Sequence, residues 1–179
     1  QAIGELGGIY FTHARYSLGD RLLDPFREAM EIGRRSGVPV HISHYHSPVE
    51  GMGERMVALV DEGRNSGVDV TFDQYPYAAA STVLHSMLPY WVHAGGPNAL
   101  MRRISDGAVR EEISESIEPT WGRTLDHYIF SHLGSAKNKE WEGRSLVDLA
   151  QAQGKKMVDA VCDLLIEENL EVAFVARTG

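Results

Sequence analysis

The chain has 179 residues, of which 43% are hydrophobic and 23% are charged, and its formal net charge is −8. This composition is typical of a globular protein. The acidic balance, with no Lys/Arg cluster larger than a pair, argues against a nucleic-acid partner. No apolar run approaches the roughly 18 residues of a membrane span. The single cysteine, Cys162, excludes an internal disulfide and favours a reducing compartment, so we expect a cytoplasmic protein.

The first half of the chain predicts three strands that alternate with two helices. The strand candidates are 7–13, 38–44 and 68–73, and the segments between them carry apolar stripes at 26–33 and 56–63. The strands recur about every 30 residues, which is the length of a βαβ unit. The sequence therefore predicts an α/β fold with parallel neighbouring strands.

The pattern changes from residue 78 onwards. Residues 78–95 are small, apolar and aromatic, and we interpret them as a covering loop or pocket wall. Helices are predicted over 97–118, 145–154 and 158–165, followed by a strand at 172–176.

The sequence thus divides into an α/β part, 1–95, and a mostly helical part with a C-terminal strand, 96–179. The chain begins with Gln1 rather than Met and stops directly after its last apolar run. We therefore expect a segment of a longer protein.

Two of the predicted strands end in a histidine, His13 and His44. The ends of parallel neighbours lie side by side, and neutral imidazoles are the usual ligands of catalytic zinc. Hydrogen-bonded strand ends without metal remain the alternative. On strict alternation, His44 shares a face with Val40 and Ile42, whereas His41 lies on the other face, against a packed helix.

Further candidates follow the same strand ends. His46 lies two residues beyond His44, where it can face a substrate. The third strand ends in Asp73, and the tyrosines that follow can bind a carboxylate or oxyanion, or simply form a rigid proline turn. Arg15 has two interpretations, an intramolecular salt bridge and a contact with an anionic substrate.

The remaining histidines and the cysteine are interpreted as structural. Cys162 lies on an apolar helical face, which predicts an inert core thiol. No dinucleotide-binding loop, phosphate loop or nucleophile elbow occurs in the sequence. The histidines placed in irregular or helical contexts are His85, His93, His127 and His132.

Three motifs, at 8–15 (GIYFTHAR), 40–44 (VHISH) and 73–77 (DQYPY), together resemble the D-aminoacylase (N-acyl-D-amino-acid deacylase) family of the metal-dependent amidohydrolase superfamily. The resemblance implies a (β/α)8 TIM-type barrel. In that fold, 1–95 supplies about three parallel βα units, whose strands end at His13, His44 and Asp73, and 96–179 forms an insert.

By this resemblance, His13 and His44 match zinc-binding histidines, and Tyr75 matches a tyrosine that contacts the substrate carboxylate. His46 stands where the family usually carries Lys or Arg for the same carboxylate, which is a departure from the pattern. The family's other metal ligands and its catalytic aspartate have no counterpart here, and we expect the aspartate beyond Gly179.

The implied activity is zinc-dependent hydrolysis of the amide bond of N-acyl-D-amino acids, which are small-molecule substrates. The segment alone is expected to be inactive, because a barrel of about 250 residues cannot close with these strands. A non-catalytic α/β domain is the alternative. It would bind a small anionic ligand through the strand-end histidines and tyrosines without a metal.

Overall fold

The computed structural model describes residues 2–15, 21–47, 49, 51–121 and 125–177, so Gln1 and Gly179 lie outside the described residues. The chain forms two compact units, Gln1–Pro76 and Tyr77–Gly179. Residues 77–95, which the sequence analysis groups with the first part, pack within the second unit. The division at residue 95 stays a prediction.

The first unit is a three-stranded parallel sheet with its crossover helices on one face. The strand order is β1-β2-β3, which confirms the predicted parallel βαβ arrangement. The elements are α1 (Ala2–Glu5), β1 (Tyr10–His13), α2 (Asp24–Ser36), β2 (Val40–Ser43), α3 (Met52–Asn65) and β3 (Val70–Phe72).

The core of this unit lies between the sheet and helices α2 and α3. Val40 and Ile42 are fully buried there, and Phe26 of α2 is buried in the same cluster. Burying a side chain of this size stabilises the fold by about 1.5–3 kcal/mol. Gly33 of α2 allows close packing on the sheet, because a Cβ there would collide with the Val40 side chain. The predicted apolar stripe of α2 is therefore its core face.

The other face of the sheet carries mixed aromatic and polar side chains. Phe11, His41 and Thr71 lie in one row across the three strands. Phe11 is 62% exposed, and its ring stacks on the His41 imidazole at a centroid distance of 4.7 Å. The expectation that His41 faces a packed helix is therefore wrong, since the helices cover the face of Val40 and Ile42.

The second unit combines the predicted helices with an antiparallel sheet that the sequence analysis did not predict. The final strand is central in the order β4-β6-β5. The elements are β4 (Ala79–Val83), α4 (Pro97–Ile104), α5 (Gly107–Trp121), β5 (Tyr128–Leu133), α6 (Leu146–Gln153), α7 (Met157–Glu167) and β6 (Val172–Arg177).

The segment interpreted as a covering loop contributes to the core of this unit instead. It forms β4 and two short 3₁₀ turns, Leu84–Met87 and Tyr90–His93, and it buries Leu84 and Val92. Five residues, mostly Ala, Ser and Thr, give β4 little hydrophobic alternation of its own. Its strand conformation depends on pairing with β6, about 90 residues later.

A buried carboxylate organises one loop of the second unit. Glu168 accepts hydrogen bonds from the backbone N–H and hydroxyl of Ser135 and from the Asn138 side-chain amide. Burial raises the pKa of Glu168, but these hydrogen bonds outweigh it and hold the pKa below its ordinary value. The loop after β5 is thereby tied to the end of α7.

Ion pairs and caps account for other polar groups of this unit. Arg110 contacts Asp159 at 3.3 Å and Asp163 at 2.8 Å, which joins α5 to α7. The predicted capping box at Ser145 and Asp148 is present at the start of α6. Within the described residues, no helix is both long and apolar enough to cross a membrane.

Candidate functional site

The carboxyl ends of β1 and β2 bring His13 and His44 together. The strands pair in register, with His13 opposite Ser43. The two imidazole rings lie 5.3 Å apart between centroids and meet edge to face, at 81°. The spacing of the strands predicts that these side chains are neighbours, and in the structure they are.

The backbone conformation that places His44 beside His13 differs from the regular strand that was expected. Strict alternation puts His44 on the helix-covered face with Ile42, whereas His13 follows Phe11 on the opposite face. That assignment is wrong, because His44 adopts a left-handed backbone conformation with φ 55°. The turn at this residue moves the imidazole out of the helix-side core.

Tyr45 takes the core position that alternation assigned to His44. Its side chain is 4% exposed, and its ring packs edge-on against Phe26 at 4.7 Å. The hydroxyl donates a 2.8 Å hydrogen bond to the Met56 carbonyl. Burial raises the pKa of this phenol to about 12. His44 is thus an extra residue, like the residue inserted at a β-bulge.

Asp73, directly after β3, connects these elements. Its carboxylate accepts the His44 backbone N–H at 2.9 Å and lies 3.0 Å from His41 Nε2. The hydrogen bonds from His44, His41 and Ser43 lower the pKa of Asp73 to about 2, so the carboxylate is ionised at neutral pH. From the sequence, Asp73 has no predicted role in the site, and His41 is expected to face a packed helix. An acid directly after a strand was the available signal.

Two of the predicted substrate contacts lie beside the histidine pair. Tyr75 is half-buried, and its ring centroid lies 5.9 Å from that of His44 and 5.6 Å from that of His46. Burial, together with the neighbouring His44 and His13, lowers the pKa of His46. His13, His44, Tyr75 and His46 therefore form a continuous group of rings at one edge of the sheet.

Arg15 points to a different partner. Its guanidinium forms an ion pair with Glu28 of α2, and both side chains are mostly exposed. Of the two alternatives open for Arg15, this contact favours the intramolecular salt bridge. Its role in substrate binding stays a prediction.

Cys162 is a buried core thiol, as expected. The residue is fully inaccessible within the second unit, and burial raises the pKa of the thiol to about 11. Among the histidines interpreted as structural, His132 lies in strand β5 rather than in an irregular or helical segment.

Comparison with known proteins finds similarity to two deacylating enzymes. The chain is 40% identical over 81 residues to a D-aminoacylase of Alcaligenes xylosoxydans xylosoxydans, and 33% identical over 81 residues to an N-acyl-D-glutamate deacylase of the same organism. Each match covers 44% of this chain and 16% of the relative. The resemblance to the D-aminoacylases is confirmed. No protein-family model matches the chain.

The fold also matches part of a deacylase structure. The crystal structure of N-acyl-D-glutamate deacylase from Bordetella bronchiseptica, in complex with zinc and a phosphonate inhibitor, superimposes with a TM-score of 0.63. The match covers 97% of this chain and 29% of the deacylase, at 20% identity. The chain therefore corresponds to a fraction of the deacylase fold.

The side chains of this chain supply part of the ligand set that a metal ion requires. Neutral imidazoles at neighbouring strand ends are suitable ligands, and His13 and His44 supply two of them. No group of three or more His, Cys, Asp or Glu side chains in the described part of the chain is arranged to hold a metal ion. A metal held by these two histidines requires further ligands.

Proposed function

We propose that this chain carries part of the active site of a zinc-dependent amidohydrolase that hydrolyses the amide bond of N-acyl-D-amino acids. The observation that carries the proposal is the His13–His44 ring pair at two parallel strand ends, with Tyr75 and His46 beside it. The similarity to D-aminoacylases supports the substrate class. Because the matched segment covers only 16% of that D-aminoacylase, we assign the proposed activity to the complete polypeptide.

Each residue of the group has a role in this proposal. His13 and His44 would hold the zinc through neutral imidazole nitrogens. When bound, zinc supplies Lewis-acid chemistry that polarises a carbonyl and makes water a stronger nucleophile. The Tyr75 hydroxyl donates a hydrogen bond to the substrate carboxylate, and the His46 imidazole contacts the same group. The proposal requires further metal ligands and an aspartate that moves the proton, which the resemblance to the family assigns to other parts of the polypeptide.

The placement of Tyr75 and His46 beside the metal-binding pair has a consequence for selectivity. A substrate whose carboxylate is held by these rings presents its amide to one side only, towards His13 and His44. The enantiomer, held by the same carboxylate, points its amide or its side chain elsewhere. Discrimination between D and L substrates is therefore expected in both kcat and KM.

The test is amine release by the complete polypeptide from matched N-acetyl-D- and N-acetyl-L-amino acids, with and without a chelator. We expect turnover of the D series that stops on chelation and returns with zinc. His44→Ala is expected to lose zinc and activity, whereas His132→Ala, an exposed histidine of β5, keeps both.

Two results would contradict the proposal. Full zinc occupancy in His44→Ala would remove this residue from the ligand set. Binding of a small carboxylate ligand without zinc or turnover would favour the non-catalytic α/β binding domain instead.

A further inference from the structure

The left-handed residue at the end of β2 changes the hydrogen-bond ladder between β2 and β3. Asp73 N–H donates to the Ile42 carbonyl at 3.2 Å, as a regular parallel ladder requires. The Asp73 carbonyl accepts from Tyr45 N–H at 2.8 Å, one residue later than in a regular ladder. Tyr45 thus occupies the Asp73 carbonyl, to which a regular ladder would direct the His44 N–H.

The side chain of Asp73 supplies an acceptor for the His44 N–H. Its Oδ1 accepts the His44 backbone N–H at 2.9 Å. The same residue therefore pairs with both members of the turn, with its backbone carbonyl to Tyr45 and with its carboxylate to His44. A left-handed conformation is uncommon for a residue other than glycine and persists where the surroundings stabilise it.

The carboxylate is itself held in place. His41 Nε2 lies 3.0 Å from Oδ2, and the other ring nitrogen, Nδ1, lies 2.8 Å from the Thr71 hydroxyl. Because an ionised carboxylate only accepts, His41 Nε2 carries the proton. The imidazole also stacks on Phe11, so its orientation is fixed by all three strands.

We infer that Asp73, oriented by His41, is a positioning residue that fixes the left-handed turn at His44 and so directs the His44 imidazole towards His13. This inference rests on the proposed function, in which His44 binds zinc. Without the turn, the alternation of β2 would point His44 into the core position that Tyr45 occupies. Asp73 acts on zinc binding through the backbone of His44, without touching the metal.

The experiment compares Asp73→Ala, Asp73→Asn and the control Asp69→Asn in the complete polypeptide. Asp69 lies directly before β3, the strand that Asp73 follows, and within the described residues its carboxylate has no hydrogen bond or ion pair. Crystal structures of the three proteins after treatment with a chelator report the φ angle of His44 when no metal can hold the ring. The zinc dissociation constant is measured by competition with a chromophoric chelator.

In Asp73→Ala we expect His44 to leave the left-handed region and the imidazole to move away from His13. Zinc affinity is expected to fall about 10- to 100-fold, the range seen when a group that orients a metal ligand is removed. Saturating zinc is expected to restore most of kcat, which distinguishes positioning from a general folding defect. Asp73→Asn keeps one acceptor oxygen for His44 and is expected to lose less. Asp69→Asn is expected to match the wild type.

A φ angle at His44 and a ring contact with His13 that persist in both Asp73 variants overturn the inference. Unchanged zinc affinity in both variants overturns it as well. If Asp73→Ala does not fold, Asp73→Asn decides the question by the same measurements. A wild-type protein with neither zinc nor deacylase activity sinks the proposed function, whereas the φ comparison still decides whether Asp73 fixes the turn.

Discussion

In the first unit, the polar side chains that follow the strands gather at one edge of a parallel sheet, where the rings of His13, His44, Tyr75 and His46 form a group. In the second unit, polar side chains are instead engaged in contacts that hold the fold, such as Glu168 with its loop. The difference follows from topology. Parallel strands end together and bring their next residues to one place, whereas antiparallel strands end alternately at opposite edges.

Replacing a core phenylalanine is expected to have the largest effect on the free energy of unfolding. The effect is expected to be similar in the two units. Phe26 and Phe130 are almost completely buried in their respective clusters. Replacing either with alanine removes buried apolar surface and leaves a cavity, so each substitution is expected to cost about 3–5 kcal/mol. Urea denaturation measures the change. Tyr90→Ala is the control, since Tyr90 is 84% exposed. A small change in stability for Phe130→Ala, with a large one for Phe26→Ala, would mean that the stability of the second unit does not depend on the packing of this core ring.

Glu168→Gln probes the structural use of polar groups in the second unit. The amide keeps one acceptor oxygen but replaces the other with a donor that faces the donors of Ser135 or Asn138, at a cost of about 1–3 kcal/mol at pH 7. The ordinary pKa is near 4.5 and folding lowers it. The stability that the ionised Glu168 carboxylate provides is therefore fully present above pH 4.5. It is lost as the pH falls through the folded-state pKa of this carboxyl group.

The measurement is the urea midpoint of wild type and Glu168→Gln between neutral and acid pH. We expect the difference between the two proteins to shrink as the pH falls below about 4. A difference that stays constant with pH would show that the charge of Glu168 contributes nothing.

Arg15→Ala is expected to have the smallest effect on stability. The Arg15–Glu28 pair is mostly exposed, and such pairs contribute about 0–1 kcal/mol. The informative measurement is KM for an N-acetyl-D-amino acid, with Glu28→Gln as the matched variant. If the salt bridge is the role of Arg15, both variants leave KM unchanged. A raised KM in Arg15→Ala alone would make Arg15 a substrate contact.

Much of the first unit was predictable from local sequence signals. Three signals together specify parallel βα units: the apolar stripe with Phe26, the run of β-branched residues before Ser43 and the repeat of about 30 residues. The stripe and the run both reflect the burial of one face of an element. The antiparallel sheet of the second unit was not predictable in this way. Its edge strand, Ala79–Val83, has weak alternation and becomes a strand by pairing with Val172–Arg177.

The candidate site shows the same limit at the level of one residue. Sequence spacing predicted that His13 and His44 are neighbours. In the paired strands of the structure, however, strict alternation would direct His44 to the face of Val40 and Ile42, away from the face that Phe11 and His13 share. The contradiction is resolved by a left-handed backbone at His44, which no glycine signals.

The sequence by itself determined the parallel βα units and the edge of the sheet where the candidate histidines lie, since both follow from hydrophobic periodicity and strand direction. Only the tertiary structure decided which face His44 occupies. That choice depends on a hydrogen bond from its backbone to Asp73, 29 residues away, and on the burial of Tyr45 in its place. A side chain brought from another strand selects the backbone conformation, and no local sequence pattern contains that contact.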